Sequence, residues 1–162
     1  MAKVFDKKFA MKYVMALVKE HEIQTVVWIK ESQGWADDEI STIWVPKPTD
    51  EDRFAVCLHE IKHIIDGENG WRYQEEFDCN IYALNILKEL KLSYKQWLYR
   101  SNWHSLLQIA YATNRGHNPK FMRKDIKKHF EGINFSKWKG KKVVVTGIMT
   151  APGYTVEITN KQ

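Results

Sequence analysis

The stretch from Thr49 to Asp66 leaves its backbone little choice. Pro46 and Pro48 end whatever precedes it, and Thr49 is placed to cap a helix. Asp50, Glu51 and Asp52 then put negative charge in the first turn, where the helix dipole favours it. Phe54, Leu58, Ile61 and Ile65 recur at helical spacing, and Gly67 to Gly70 breaks the run. The pattern predicts a helix from about Asp50 to Asp66 with one buried stripe.

Inside that helix stands His59-Glu60-Ile61-Lys62-His63. Residues four apart share a helix face, with Cβ atoms about 5–6 Å apart. Two imidazoles so placed can reach one Zn2+ at about 2.0–2.1 Å. Glu60, on the adjoining side, can accept a proton from a water held beside the ion without being a ligand. The plainer alternative is a buried helix whose histidines only make hydrogen bonds. The capped amphipathic setting favours the metal.

A catalytic zinc needs a third protein ligand and an open fourth position. Asp66 and Asn69 stand where a metzincin continuation would need Gly and His, so that arrangement is excluded. A second helix, expected from about Tyr73 to Leu90, carries Glu75-Glu76-Phe77-Asp78-Cys79-Asn80 after the glycine-bounded turn. Glu76 is the favoured third ligand, with Glu75 and Asp78 as fallback ligands. Asn80, one turn further on, can accept the outer N–H of His59 or His63 and so fix the ligand tautomer. The alternative for these carboxylates is a solvated helix face.

His-Glu-Ile-Lys-His followed by Glu-Phe-Asp-Cys-Asn-Ile-Tyr-Ala-Leu resembles the gluzincin pattern HExxH…ExxxN. Among its branches the chain is most similar to the ImmA/IrrE family of small metallopeptidases, over roughly Thr49 to Leu90. Asp78, Cys79 and Tyr82 depart from that family's E-x-E-A-N-x-F-A element, Lys62 replaces a small residue, and the gap from His63 to Glu76 is short. The resemblance implies a zincin-like core, zinc held by His59, His63 and Glu76, and Glu60 as catalytic base. It further implies selective intracellular cleavage of a regulatory protein, such as a repressor in a phage or other mobile element. Tyr73, Tyr99, His104, Tyr111 and His117 remain open as donors to the developing oxyanion.

Around this segment the chain reads as α+β. Phe9 to His21 is an amphipathic helix by period, with Phe9, Tyr13, Leu17 and His21 on one stripe and Met11, Val14, Met15 and Val18 on a neighbouring one. Gln24 to Lys30 and Ile40 to Val45 are strand-like, with turn chemistry at Gln33-Gly34 and Asp37 to Glu39, which predicts a small antiparallel sheet. The second of these strands is a candidate to pair with an extended substrate through Thr42 and Ile43. Helices are expected from Ser93 to Ala112 and from Pro119 to Phe130, then a hairpin of Lys142 to Ile148 and Tyr154 to Thr159. The resulting division is a metallopeptidase core over residues 1–92 and a basic helical and β-hairpin extension, packed on it, over 93–162.

Charge divides along the same line. Residues 1–90 carry 11 Lys+Arg against 17 Asp+Glu, and residues 91–162 carry 14 against 3. Lys120, Lys124, Lys127 and Lys128, expected on one side of a single helix and interleaved with Phe121, Phe130, Phe135 and Trp138, are candidates for nucleic-acid contact. That supplies a second functional class, a non-catalytic nucleic-acid- or protein-binding module on a peptidase-like scaffold. Cys57 and Cys79 are too few for a disulfide framework and are not spaced as a metal pair. Charges crowd the first eight residues and no apolar run approaches bilayer length, so the expected location is the cytoplasm.

Overall fold

Asp6 opens the first helix by accepting the backbone N–H groups of Lys8 and Phe9 on its carboxylate. The computed structural model describes residues 2–68 and 70–161; Asn69, within the expected glycine-bounded turn, lies outside the described residues. Helices and two small sheets make the protein α+β, and the chain divides into two compact units, Met1–Leu98 and Tyr99–Gln162.

In the first unit, α1 (Lys7–Glu20) buries Ala10, Val14 and Val18, with Tyr13 and Leu17 packed beside them. Of the two expected stripes, Val14, Val18, Tyr13 and Leu17 face inward, while Phe9 and Met15 are exposed. β1 (Thr25–Ile29), β2 (Trp35–Asp37) and β3 (Thr42–Pro46) form one sheet in the order β1-β3-β2. β2 pairs antiparallel with β3, placing Trp35 opposite Trp44. β1 pairs parallel with β3 on its other side, placing Val26 opposite Ile43. The sheet is therefore mixed, which corrects the expected antiparallel one. The cause is β2, a strand of three residues flanked by Gly34 and Asp38, which reverses the chain so that β3 runs alongside β1.

This order also corrects the reading of β3 as a substrate-pairing strand. β3 is bonded on both sides, and Thr42, Ile43 and Val45 are buried. Ile43→Ala is accordingly expected to destabilise the protein by about 2–5 kcal/mol, the usual cost of emptying a packed core position. Urea denaturation measures it, and a loss below about 1 kcal/mol would be at odds with a central strand.

α2 (Glu51–Asp66) is capped by Asp50, whose carboxylate accepts the Arg53 N–H at 2.9 Å. Thr49, the expected cap, instead donates its hydroxyl to Asp50. Phe54, Leu58 and Ile61 are buried and Ile65 is partly so. Gly67 ends the helix at φ +63°, a conformation that L side chains rarely adopt. α3 (Arg72–Glu89) packs against α2 and buries Tyr73, Phe77, Ala83, Leu84 and Leu87. Cys57 and Cys79 are buried, free thiols, and burial pushes the Cys57 thiol up to about 12. That thiol donates to the Pro46 carbonyl.

The division between units falls within α4 (Lys95–Asn114). Trp97, in the first unit, donates its indole N–H to the Asn80 carbonyl at 3.2 Å. In the second unit, the single helix expected from Pro119 to Phe130 is broken. A 3-10 turn (Pro119–Phe121) precedes α5 (Lys124–His129), with Met122 and Arg123 extended between them. Met122 is buried there, and no Gly or Pro marks the break. A second 3-10 turn spans Phe135–Trp138. β4 (Lys141–Gly147) and β5 (Tyr154–Asn160) form the expected antiparallel hairpin. A Cβ on Gly153 would lie 2.6 Å from the Tyr99 backbone, so only glycine lets the hairpin turn meet α4 there. Phe130 touches Phe135 and Tyr154, and Phe135 touches Trp138, forming an aromatic cluster. Among the described residues, no helix is long and apolar enough to cross a membrane.

Candidate metal centre

His59 and His63 stand one turn apart on the face of α2 that meets α3. Their rings are edge to face, with centroids 4.9 Å apart, and their Nε2 atoms lie 3.2 Å apart. Trp97 packs edge-on against His59 at 6.0 Å. His59, Glu60 and His63 offer donor atoms all within 4.8 Å of one another, a group that can hold a metal ion. His59 and Glu60 are buried and His63 is partly buried.

Glu76 reaches the same point from α3. Its Oε2 lies 3.1 Å from His59 Nε2 and its Oε1 lies 3.6 Å from His63 Nε2. Three donors bound tetrahedrally at about 2.0–2.1 Å stand about 3.3–3.4 Å from one another, because a tetrahedron's edge is about 1.63 times its bond. The His59–His63 separation of 3.2 Å and the His59–Glu76 Oε2 separation of 3.1 Å lie just under that value, while the 3.6 Å separation from His63 is to the other carboxylate oxygen, Oε1. Two imidazole nitrogens and a nearby carboxylate are donors of the type, and at the spacing, that can hold a metal ion.

The other predicted residues fall as follows. Glu75 stands beside a small cavity next to His63, with Arg72 Nη1 4.0 Å from its Oε2. Asp78 is two positions past Glu76, about 200° round the helix from it. Asn80 is buried. Tyr73 is buried on α3, while Tyr99, His104, Tyr111 and His117 belong to the second unit.

Three contributors escaped the sequence reading. Arg72 places Nη2 2.7 Å from Glu76 Oε1, balancing the carboxylate's charge from an exposed position. It lies four residues before Glu76 on one helix, a spacing that could have revealed it. Gly34, read as a turn residue, gives Glu60 its space. A Cβ there would lie 2.8 Å from both Glu60 Cγ and the Trp44 carbonyl. Trp35 stacks on Trp44 at 5.4 Å and, with Ala36, Asp38, Gly67, Glu68 and Arg72, lines the cavity of about 70 Å3 beside His63. Only tertiary structure brings these together.

Burial works to lower the His63 pKa, but the hydrogen bond and charge of Glu76, with the charge of Glu60, outweigh it, and the net shift is upward. In the metal-free protein the resulting stability is fully present below the unfolded value of about 6.5 and is lost as pH rises through the raised folded value. A metal needs the neutral imidazole, so its stabilising effect grows over the same window. Thermal melts with and without zinc should therefore diverge as pH rises; a constant gap would mean that His63 is not a ligand.

Neither a protein-family model, nor a curated protein, nor a solved structure matches this chain.

Proposed function

We propose that this protein is a zinc-dependent endopeptidase, with His59, His63 and Glu76 as metal ligands and Glu60 as the general base. The observation that carries this reading is the convergence of two imidazole nitrogens and one carboxylate within 3.1–3.6 Å, with a second buried carboxylate alongside. The sequence resemblance to small gluzincins of the ImmA/IrrE type favours the same ligand set and a zincin-like core. Glu60 is the better base and Glu76 the better ligand. Glu76 comes from a separate helix to close the triangle, whereas Glu60 adjoins it on α2.

When bound, zinc polarises a scissile carbonyl and lowers the pKa of the attacking water from 15.7 toward about 7. Glu60 takes the proton and passes it to the leaving amine. The bare Cα of Gly34 leaves the room that the Glu60 side chain occupies during that transfer. Arg72 holds Glu76 Oε1, leaving Oε2 toward His59. Asn80 is the candidate outer partner of the histidines. β2, at the sheet edge beside the cavity, is the strand on which an extended substrate can add main-chain hydrogen bonds. The substrate is an intracellular regulatory protein, such as a repressor.

Elemental mass spectrometry of protein purified without chelator tests the foundation. One zinc per chain is expected, removable by chelation and restored by zinc. A chain that neither retains nor rebinds zinc overturns the proposal.

A further inference from the structure

The second unit carries 12 Lys and Arg against 3 Asp and Glu over residues 99–162, a formal charge of +9. The structure gathers part of that charge around a cleft of about 370 Å3. Lys120, Lys127 and Lys139 line it, with Pro119, Ile133 and Phe135 supplying apolar surface, and no carboxylate is among its lining residues. Its size falls within the range of about 300–1,000 Å3 typical of ligand pockets. Lys127 donates from Nζ to the Lys120 carbonyl at 2.9 Å, which tethers one ammonium at the cleft. Phe121, the sequence neighbour of the lining residue Lys120 and itself outside the lining, is 74% exposed. An aromatic ring left in water beside clustered cations has an uncompensated apolar face, which a planar partner can cover.

We propose that this cleft binds single-stranded nucleic acid, with backbone phosphates at Lys120, Lys127 and Lys139 and an unpaired base stacked on Phe121. Single strands suit the site because a paired base has no free face to offer the ring, and stacking on aromatics is indifferent to sequence. Apolar lining beside lysines distinguishes the cleft from a site for a bare anion, which would need donors alone. The broken helix matters here. Lys120 and Lys127 meet because the chain turns at Met122 and Arg123, while Lys124 and Lys128, on α5, do not line the cleft. The four lysines read from sequence as one row thus divide into two pairs. Lys139 replaces the second pair.

Fluorescence anisotropy of the full chain with a labelled oligothymidine of about 12 nucleotides tests this, since comparable sites span about 4–16 nucleotides. Each phosphate contact contributes about 0.7 to the salt slope for a single strand, so the triple Lys120→Ala, Lys127→Ala, Lys139→Ala variant should flatten the slope by about 2. Phe121→Ala should weaken binding about 5–150-fold with the slope unchanged, the fold-change equivalent of about 1–3 kcal/mol of stacking. A variant of equal charge loss, Lys124→Ala, Lys128→Ala, Lys137→Ala, should bind nearly as the parent does. Circular dichroism identifies any variant that fails to fold, and single substitutions at the same lysines then replace it. The proposal is overturned by no binding at low salt, by equal loss in the charge-matched variant, or by equal binding of duplex. It is equally overturned if inorganic phosphate, polyglutamate or phosphatidylserine vesicles displace the strand at matched anion concentration. None of these outcomes depends on zinc.

Discussion

Glu60→Gln is expected to leave zinc content and fold unchanged while lowering peptide hydrolysis by about 10²–10⁴-fold, the usual contribution of a positioned general base. The amide preserves the shape that fits beside Gly34, so the substitution removes proton affinity and little else. A peptide library read by mass spectrometry supplies the assay, since it offers many sequences to a selective enzyme. Loss of zinc in Glu60→Gln would make this residue a ligand. Retained hydrolysis would remove it from the chemistry, and no hydrolysis by the zinc-loaded parent would leave a metal centre without peptidase function.

Glu76→Gln should do the opposite. Its carboxylate lies 3.1 Å and 3.6 Å from the two imidazole nitrogens, and a neutral amide at that point is a poor partner for a dication. The zinc dissociation constant should rise more than 100-fold, measured by competition with a chromophoric chelator. Arg72→Gln provides the scale, because loss of a partner behind a ligand typically costs about 10–100-fold in metal affinity. Arg72 touches Glu76 Oε1 at 2.7 Å and fits that position. If Glu76→Gln costs no more than Arg72→Gln, Glu76 lies outside the ligand set. The two glutamates are then separated by experiment, one governing turnover and the other occupancy.

How far these roles are legible in the sequence depends on the range of the interaction. The two histidines of α2 can be placed without a structure because their spacing and the helix period are both local. Glu76 is legible at one remove, since Gly67 predicts a reversal and α3 supplies acids soon after it. The cap of α2 shifts by one residue from Thr49 to Asp50 because both are competent caps and only the backbone decides. The parallel pairing of β1 with β3 was not legible, because strand order is settled by partners far apart in the chain. β2 falls between the turn signals at Gln33-Gly34 and Asp37 to Glu39, and its three residues are too few to display alternation. The break before α5 carries no Pro or Gly and coincides with the burial of Met122, which only tertiary packing sets. Gly34 was visible as a glycine, but its partner lies 26 positions away in sequence.

That glycine gives the site an unusual asymmetry under mutation. The other contacts near the two helices fail when atoms are taken away: an imidazole truncated, a carboxylate neutralised, a guanidinium shortened. At position 34 there is nothing left to delete, and even a methyl group would overlap both an acid's aliphatic stem and a main-chain oxygen. Random drift can therefore damage position 34 in one direction only, by growth, and a scan that substitutes alanine everywhere would make an enlarging change here beside the buried acid.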